Sequence, residues 1–274
     1  MKLSGKNLTG LCIANTHPQH ALALSKNLGL NICANSKNAL WLDWVNSKKD
    51  PTLKLAICSD TQGPVFVDFL AGKKAHRRQF GGGKGQPLVR AMGQTNTGLP
   101  SIIDATAGMG GDSYVLASLG FTVQMLERSP IVAALLADAL TRAQKESVLL
   151  EDEITQSIQN LSLVNANSAE YLIEQKPQVD VIYMDPMYPE KKKKAAAKKE
   201  MQALQQLVGP DLDSEKLLEA ALQTARNRVV VKRPKGADSI TCNLNNIKPT
   251  SQISSPNTRY DIYVLKALKA SGQL

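Results

Sequence analysis

Ser101-Ile102-Ile103-Asp104-Ala105-Thr106-Ala107-Gly108-Met109-Gly110-Gly111-Asp112 is the stretch from which the rest of the chain can be read. A β-branched pair runs into an acidic residue, a glycine-rich turn follows, and a helix-like segment covers Asp112 to Leu119. Strand, glycine turn and helix open a nucleotide-binding βαβ unit. A tight turn with no ligand has the same look, so the neighbouring elements must discriminate.

From about Asn96 onward strands and helices alternate. Strands are expected at Ser101–Thr106, Phe121–Leu126, Leu161–Asn165, Val179–Met184 and Arg228–Val231. Helices are expected at Pro130–Lys145, where Pro suits the first turn, and at Ala169–Glu174, Glu190–Val208 and Ser214–Arg226. Ser251–Ser254 and Tyr260–Leu265 suit a closing antiparallel pair. Near-continuous apolar strands alternating with helices indicate an α/β fold, a parallel sheet covered on both faces.

Upstream lies a small α+β unit, residues 1–72. Leu8–Asn15, Leu30–Ala34, Leu40–Val45, Leu53–Cys58 and Val65–Leu70 read as strands, and Pro18–Leu28 reads as a helix that Gly29 can stop. Nothing in this unit suggests catalysis. Residues 73–95 form a basic, glycine-rich connection and a short helix at Gln86–Met92, and residues 96–274 form the α/β domain.

At 274 residues the chain can bury a sizeable core. Its 43% hydrophobic and 21% charged residues are those of a soluble globular protein. No apolar run approaches the roughly 20 residues that cross a bilayer, and Met1–Gly10 lacks the apolar block of a secretion signal. A cytoplasmic protein is expected. Cys12, Cys33, Cys58 and Cys242 are scattered without a Cys-x-x-Cys pair, so buried free thiols are expected rather than a disulfide framework or a zinc site. His17 and His20 flank Pro18 and read as a helix start, not a ligand pair. No metal is expected.

The net charge of +9 favours a polyanionic partner, with nucleic acid ahead of an anionic membrane surface. In Lys73 to Gly85 five cationic side chains alternate with four glycines and one aromatic ring. A solvated linker is the plain reading. The sharper one makes Arg77, Arg78 and Lys84 phosphate contacts and Phe80 a base-stacking ring. Lys191, Lys192 and the lysines after them are a second basic feature, and Lys232 and Arg233 a third.

In an open parallel sheet, ligands sit beyond the C-terminal strand ends. The first strand delivers Asp104 and the turn Gly108, Gly110, Gly111 and Asp112; the second delivers Glu127 and Arg128. The third delivers Asn165, Asn167 and Ser168, and the fourth delivers Asp185, Pro186, Met187 and Tyr188. Glu127, about 20 residues past the turn, can accept hydrogen bonds from both hydroxyls of an adenosine ribose. Arg128 can support that pocket or pair with Glu127. Asn167 and Ser168 sit where an adenine edge would be read, or form a helix cap. A dinucleotide fingerprint would place glycine at Ser113. The absent glycine, together with Asp104 ahead of the turn, points instead to S-adenosylmethionine.

Asp185-Pro186-Met187-Tyr188 resembles the Asp/Asn-Pro-Pro-Tyr/Phe motif of amino-methyltransferases acting on nucleobase amines. Such an amine is a poor nucleophile because its lone pair is delocalised into the ring. The Asp185 carboxylate and Pro186 carbonyl can accept its two N–H bonds and hold it in line with the donor methyl, with Tyr188 stacked on the base.

Asp104–Asp112, Met125–Leu136, Tyr183–Pro189, Leu207–Asp211, Val229–Pro234, His76–Gly85 and Tyr260–Tyr263 together resemble the ribosomal RNA small subunit methyltransferase J family, over roughly Val65 to Val264. The resemblance implies a class I S-adenosylmethionine-dependent fold with a Rossmann-like seven-stranded sheet. It implies methyl transfer to guanine N2 near the 3′ end of 16S rRNA, free or in the small subunit. It puts the cofactor contacts at Gly111, Asp112, Glu127, Arg128, Asn167, Ser168 and Asp185. In one respect the chain departs from the family pattern, which has Arg before the Asp of the turn, where Gly111 stands. The alternatives are an RNA-binding ribosome assembly factor with a relic cofactor pocket, or an amino-methyltransferase of another nucleic acid.

Overall fold

The structure, a computed structural model, describes residues 11–33, 40–71, 83–95, 98–147, 152–187, 213–242, 244 and 247–274. Two sheets organise them. The N-terminal sheet has strands β1 (Cys12–Ala14), β2 (Ile32–Cys33), β3 (Trp41–Ser47), β4 (Asp50–Cys58) and β5 (Val65–Phe66), ordered β2-β1-β3-β4-β5. The larger sheet has β6 (Ile102–Asp104), β7 (Val123–Glu127), β8 (Leu161–Asn165), β9 (Val181–Met184), β10 (Arg228–Pro234), β11 (Ser251–Ser254) and β12 (Thr258–Val264). Its order is β11-β12-β10-β9-β6-β7-β8, parallel from β10 to β8, with β12 antiparallel to β10 and to β11. The expected seven-stranded, Rossmann-like sheet is therefore present.

Period-two alternation explains its layers. Ile102, Val123, Met125, Val181 and Tyr183 face one apolar cluster with the helices Gly111–Ser118, Pro130–Ser147 and Asp152–Gln159. Ile103, Leu126, Ile182, Met184, Val229 and Val231 face the other, with the helices Ser168–Gln175, Ser214–Thr224 and Leu265–Ala270. The strand order reverses between β6 and β9, so a crevice opens at their C-terminal ends, where Asp104 and Asp185 lie.

The N-terminal sheet shares the first of these clusters. Leu55, Ile57, Val67 and Phe69 pack with Leu135, Leu136 and Tyr114. Polar ties reinforce the contact. The Leu55 N–H donates to Asp138 Oδ2 at 3.1 Å, and Arg142 bridges Asp138 at 2.9 Å and the Val67 carbonyl at 2.6 Å. Pro18–Leu28 is the expected helix. It buries Ala21, Leu24 and Leu28 and stops at Gly29, whose φ of 67° lets its N–H reach the Ser25 carbonyl. His17 is its N-cap residue, and His20 lies against the Trp44 ring.

Three expectations change. Cys12 and Cys33 form a disulfide, with Cα atoms 5.9 Å apart. They are 21 residues apart in sequence, but the intervening helix returns the chain so that β2 pairs beside β1, an adjacency that Cys spacing alone does not reveal. Cys58 and Cys242 are free thiols. The strand expected over Val65–Leu70 ends at Phe66, because Asp68 Oδ1 accepts the N–H groups of Leu70 and Ala71 and turns the chain. Two helices, Asp152–Gln159 and Leu265–Ala270, were not anticipated. The helix expected over Glu190–Val208 lies outside the described residues. Among the described residues no helix is long and apolar enough to cross a membrane.

Candidate active site

The site is built from strand ends. Asp104 closes β6 and is 2% exposed. Its Oδ1 accepts the Thr106 N–H at 3.2 Å, and its Oδ2 accepts the Ser113 hydroxyl. Burial pushes its carboxyl up to about 7, against the lowering effect of those two hydrogen bonds. Ser113, which occupies the position of the missing third glycine, thus has a definite task.

The turn that follows is held from two sides. Gly108, at φ 52°, donates its N–H to Glu127 Oε2 at 3.0 Å. Gly110, at φ 70°, begins the helix Gly111–Ser118; a Cβ there would lie 2.9 Å from Leu136 and 3.2 Å from Phe69. Gly111 is the first helical residue, and a Cβ on it would meet nothing within 4 Å. Helix N-termini present unpaired N–H groups, which suit a carboxylate such as the methionine end of the cofactor.

Glu127 ends β7, 6% exposed, with its other oxygen accepting the Ser129 N–H at 2.7 Å. A carboxylate has about four acceptor sites, so these bonds are compatible with ribose hydroxyls as further donors. Arg128 pairs with Asp213 at 3.1 Å. Asn165 Nδ2 donates to the Glu127 carbonyl at 2.7 Å. Asn167 caps the helix Ser168–Gln175 by accepting the Glu170 N–H, and the Ser168 hydroxyl donates to the Ala105 carbonyl at 2.7 Å.

Asp185 follows β9. Its N–H donates to Thr106 Oγ1 at 2.6 Å, which ties the loop to the end of β6. Pro186 is buried beside it. Asp112 Oδ2 accepts the Tyr183 hydroxyl at 2.7 Å and Lys232 Nζ at 2.8 Å, and Lys232 Nζ also lies 2.7 Å from Asp185 Oδ2. Burial raises the Tyr183 phenol well above its usual range, with Asp112, Asp185 and Asp104 adding to the shift. Burial alone would lower the Lys232 ammonium, but Asp112 and Asp185 more than reverse this and raise it.

Asp104, Gly108, Gly110, Gly111, Asp112, Glu127 and Asp185 therefore converge through strand ends and shared bonds. Tyr188, Arg77, Arg78, Phe80, Lys191 and Lys192 lie outside the described residues, as does the Lys84 side chain. The sequence reading missed Thr106, Ser113, Tyr183 and Lys232. It placed Lys232 and Arg233 as a basic feature toward RNA. Instead Lys232 turns in to two carboxylates, while Arg233 is 1% exposed and bonded to the Asp238 carbonyl.

A glycine turn between buried acidic strand ends, at the point where strand order reverses, suits a cationic adenosyl sulfonium. The comparisons agree. Residues 23–265 match the family model described as "Putative SAM-dependent methyltransferase". The crystal structure of a SAM-dependent methyltransferase from Neisseria gonorrhoeae superposes with a TM-score of 0.67 at 29% identity, covering 93% of this chain and 95% of that one. Fold and site thus define an S-adenosylmethionine-dependent class I methyltransferase.

A ribosomal RNA small subunit methyltransferase J of Hydrogenovibrio crunogenus is 56% identical over 265 residues, 93% of each chain. One of Chromobacterium violaceum is 49% identical over 215 residues, covering 77% of this chain and 79% of the relative. The chain belongs to the ribosomal RNA small subunit methyltransferase J family.

Proposed function

We propose that the protein transfers a methyl group to the exocyclic N2 of a guanosine near the 3′ end of 16S rRNA, in the cytoplasm, with free rRNA or the small ribosomal subunit as its partner. The observation that carries this reading is Asp185-Pro186 held at the crevice between β6 and β9, beside the glycine turn. The family name carried by relatives over nearly the whole chain supports RNA as the substrate.

S-Adenosylmethionine supplies a methyl group already activated on a positively charged sulfur. Gly108, Gly110, Gly111 and Asp112 would hold its methionine end, Glu127 and Arg128 its ribose side, and Asn167 and Ser168 its adenine, with Asp104 supporting the turn. The Asp185 carboxylate and the Pro186 carbonyl accept the two N–H bonds of the guanine amine, which aims the nitrogen lone pair at the methyl carbon. Tyr188 stacks on the base. Arg77, Arg78, Phe80, Lys84, Lys191 and Lys192 contact the RNA. Transfer would break the methyl–sulfur bond as the C–N bond forms, leaving a neutral thioether; the positive charge gained by the nitrogen would be stabilised by the Asp185 carboxylate until one N–H proton is lost to solvent.

Mass mapping of 16S rRNA with and without the gene tests the reaction. One guanosine near the 3′ end should lose a methyl in the deletion and regain it on incubation with the purified protein and S-adenosylmethionine. An unchanged guanosine pattern overturns the proposal.

A further inference from the structure

β10 runs parallel to β9 with Val231 opposite Met184, so the residues that come next, Lys232 on β10 and Asp185 just beyond the end of β9, emerge side by side. Lys232 is paired on its other side with Tyr260 of β12. The Lys232 side chain is 25% exposed, and its Nζ contacts Asp185 Oδ2 at 2.7 Å and Asp112 Oδ2 at 2.8 Å. Asp112 is fixed in turn by the Tyr183 hydroxyl at 2.7 Å. One ammonium therefore joins the helix that follows the glycine turn to the loop that follows β9.

We infer that Lys232 is a positioning residue for methyl transfer, holding the Asp185 carboxylate ionised and fixed in orientation while coupling it to Asp112 of the cofactor turn. This rests on the reading of Asp185 as the acceptor of the substrate amine. That task requires an ionised carboxylate. In that form both oxygens only accept, whereas a protonated Asp185 presents an O–H that opposes an N–H donor.

The surroundings of Asp185 make the ammonium necessary. Among the described residues, the titratable groups around it are Asp104 from β6, Asp112 from the following helix, Tyr183 from β9, Lys232 from β10 and Tyr260 from β12. Two are carboxyls, two are phenols, and the cation among them is Lys232. Like charges crowded at one site raise carboxyl pKa values, and an opposite charge in contact lowers them. A lysine at this position also fixes geometry, because its two partners approach from different elements and meet at one nitrogen.

Lys232→Met keeps the length of the stem and removes the charge. The test compares it with wild type and with Lys232→Arg, using 16S rRNA or small subunits lacking the modification and labelled S-adenosylmethionine, with kcat followed from pH 5.5 to 9.5. Lys232→Met should lower kcat on the order of 100-fold at pH 7. Its acid limb should move up by about one pH unit or more, so that part of the rate returns at high pH. Lys232→Arg should recover most of the rate and the wild-type limb. Affinity for S-adenosylmethionine, measured by calorimetry, should fall far less than kcat.

A uniform loss at every pH with no rescue by Arg would make Lys232 a structural strut and overturn the inference, as would an unchanged profile in Lys232→Met. If Lys232→Met does not fold, Lys232→Gln serves in the same comparison and is judged by the same limb. Asp185→Asn separates this inference from the reading beneath it. If that variant keeps the wild-type rate and pH profile, the role of Asp185 fails. If it is impaired and the Lys232 profile is unmoved, only the role of Lys232 fails.

Discussion

Ser113 donates its hydroxyl proton to Asp104 Oδ2, and the two side chains are 0% and 2% exposed. The bond links the helix after the glycine turn to the strand before it. Ser113→Ala leaves a buried carboxyl without one donor and should cost about 1.5–3 kcal/mol of stability. The loss should be larger at pH 8, where Asp104 is mostly ionised, than at pH 5.5. Urea unfolding at the two pH values checks this, and an equal loss at both would mean that Asp104 does not titrate between them.

Asp104 also predicts a pH dependence of stability. Its folded pKa is raised to about 7 from the usual 3.8, so between those values the folded chain holds a proton that the unfolded chain has released. The contribution of Asp104 to stability is therefore full below about pH 4 and is lost as pH rises toward 7, by up to about 1.4 kcal/mol per pH unit. Asp104→Asn lacks this dependence. Unfolding free energies of wild type and variant, measured at half-unit steps from pH 4.5 to 8, should show wild type losing ground to the variant until about pH 7 and then running parallel to it.

Gly110 and Gly111 should respond oppositely to alanine. At Gly110 a side chain meets a positive φ, costing about 1–2 kcal/mol, and closes on Leu136 and Phe69. Gly110→Ala should therefore lower the melting temperature clearly. At Gly111 the space is open, and Gly111→Ala should be neutral or stabilise by roughly 0.4–1 kcal/mol. Gly111→Arg, the residue that the resemblance leads one to expect before Asp112, should fold normally and tighten S-adenosylmethionine binding. Calorimetry showing no gain would mean that the turn holds the ligand without a guanidinium.

Asp138 joins Leu55 of the N-terminal sheet to Arg142 of its own helix. Asp138→Ala removes the acceptor for a buried N–H and should cost on the order of 2 kcal/mol. Asp138→Asn keeps an acceptor for Leu55 and should recover part of that loss. Chemical denaturation of the three proteins checks the order.

Asp185→Ala should reduce kcat on the order of 100-fold by loss of amine orientation, a loss that saturating cofactor does not restore. Single-turnover methylation at saturating S-adenosylmethionine measures it, and a wild-type rate would show that the amine is held elsewhere.

Asp104, Glu127 and Asp185 could be found in the sequence because each is an acidic residue directly after an apolar strand, a position that a parallel sheet turns toward its ligand crevice. Lys232 sits at an equivalent strand end but was read toward RNA. Its charge is visible in the sequence, whereas its partners, 120 and 47 residues away, depend on the register of β9 and β10. Ser113 left a clue, as the residue that breaks the glycine fingerprint, yet only its hydrogen bond to Asp104 explains the break. The Cys12–Cys33 bond was hidden for a similar reason, since a parallel neighbour is created by a crossover and not by spacing.

Phe69 is 1% exposed, its ring centroid lies 5.3 Å from that of Tyr114, and with Leu136 it occupies the space over Gly110. The contour of the ligand turn is thus moulded from behind by an aromatic ring in the turn that follows the last strand of the first sheet. Damage to that turn, away from the polar groups of the crevice, would surface first as a weakened grip on the methyl donor. Variants near Val67 and Phe69 that bind S-adenosylmethionine poorly would then owe the defect to slack in the interior and not to a missing contact.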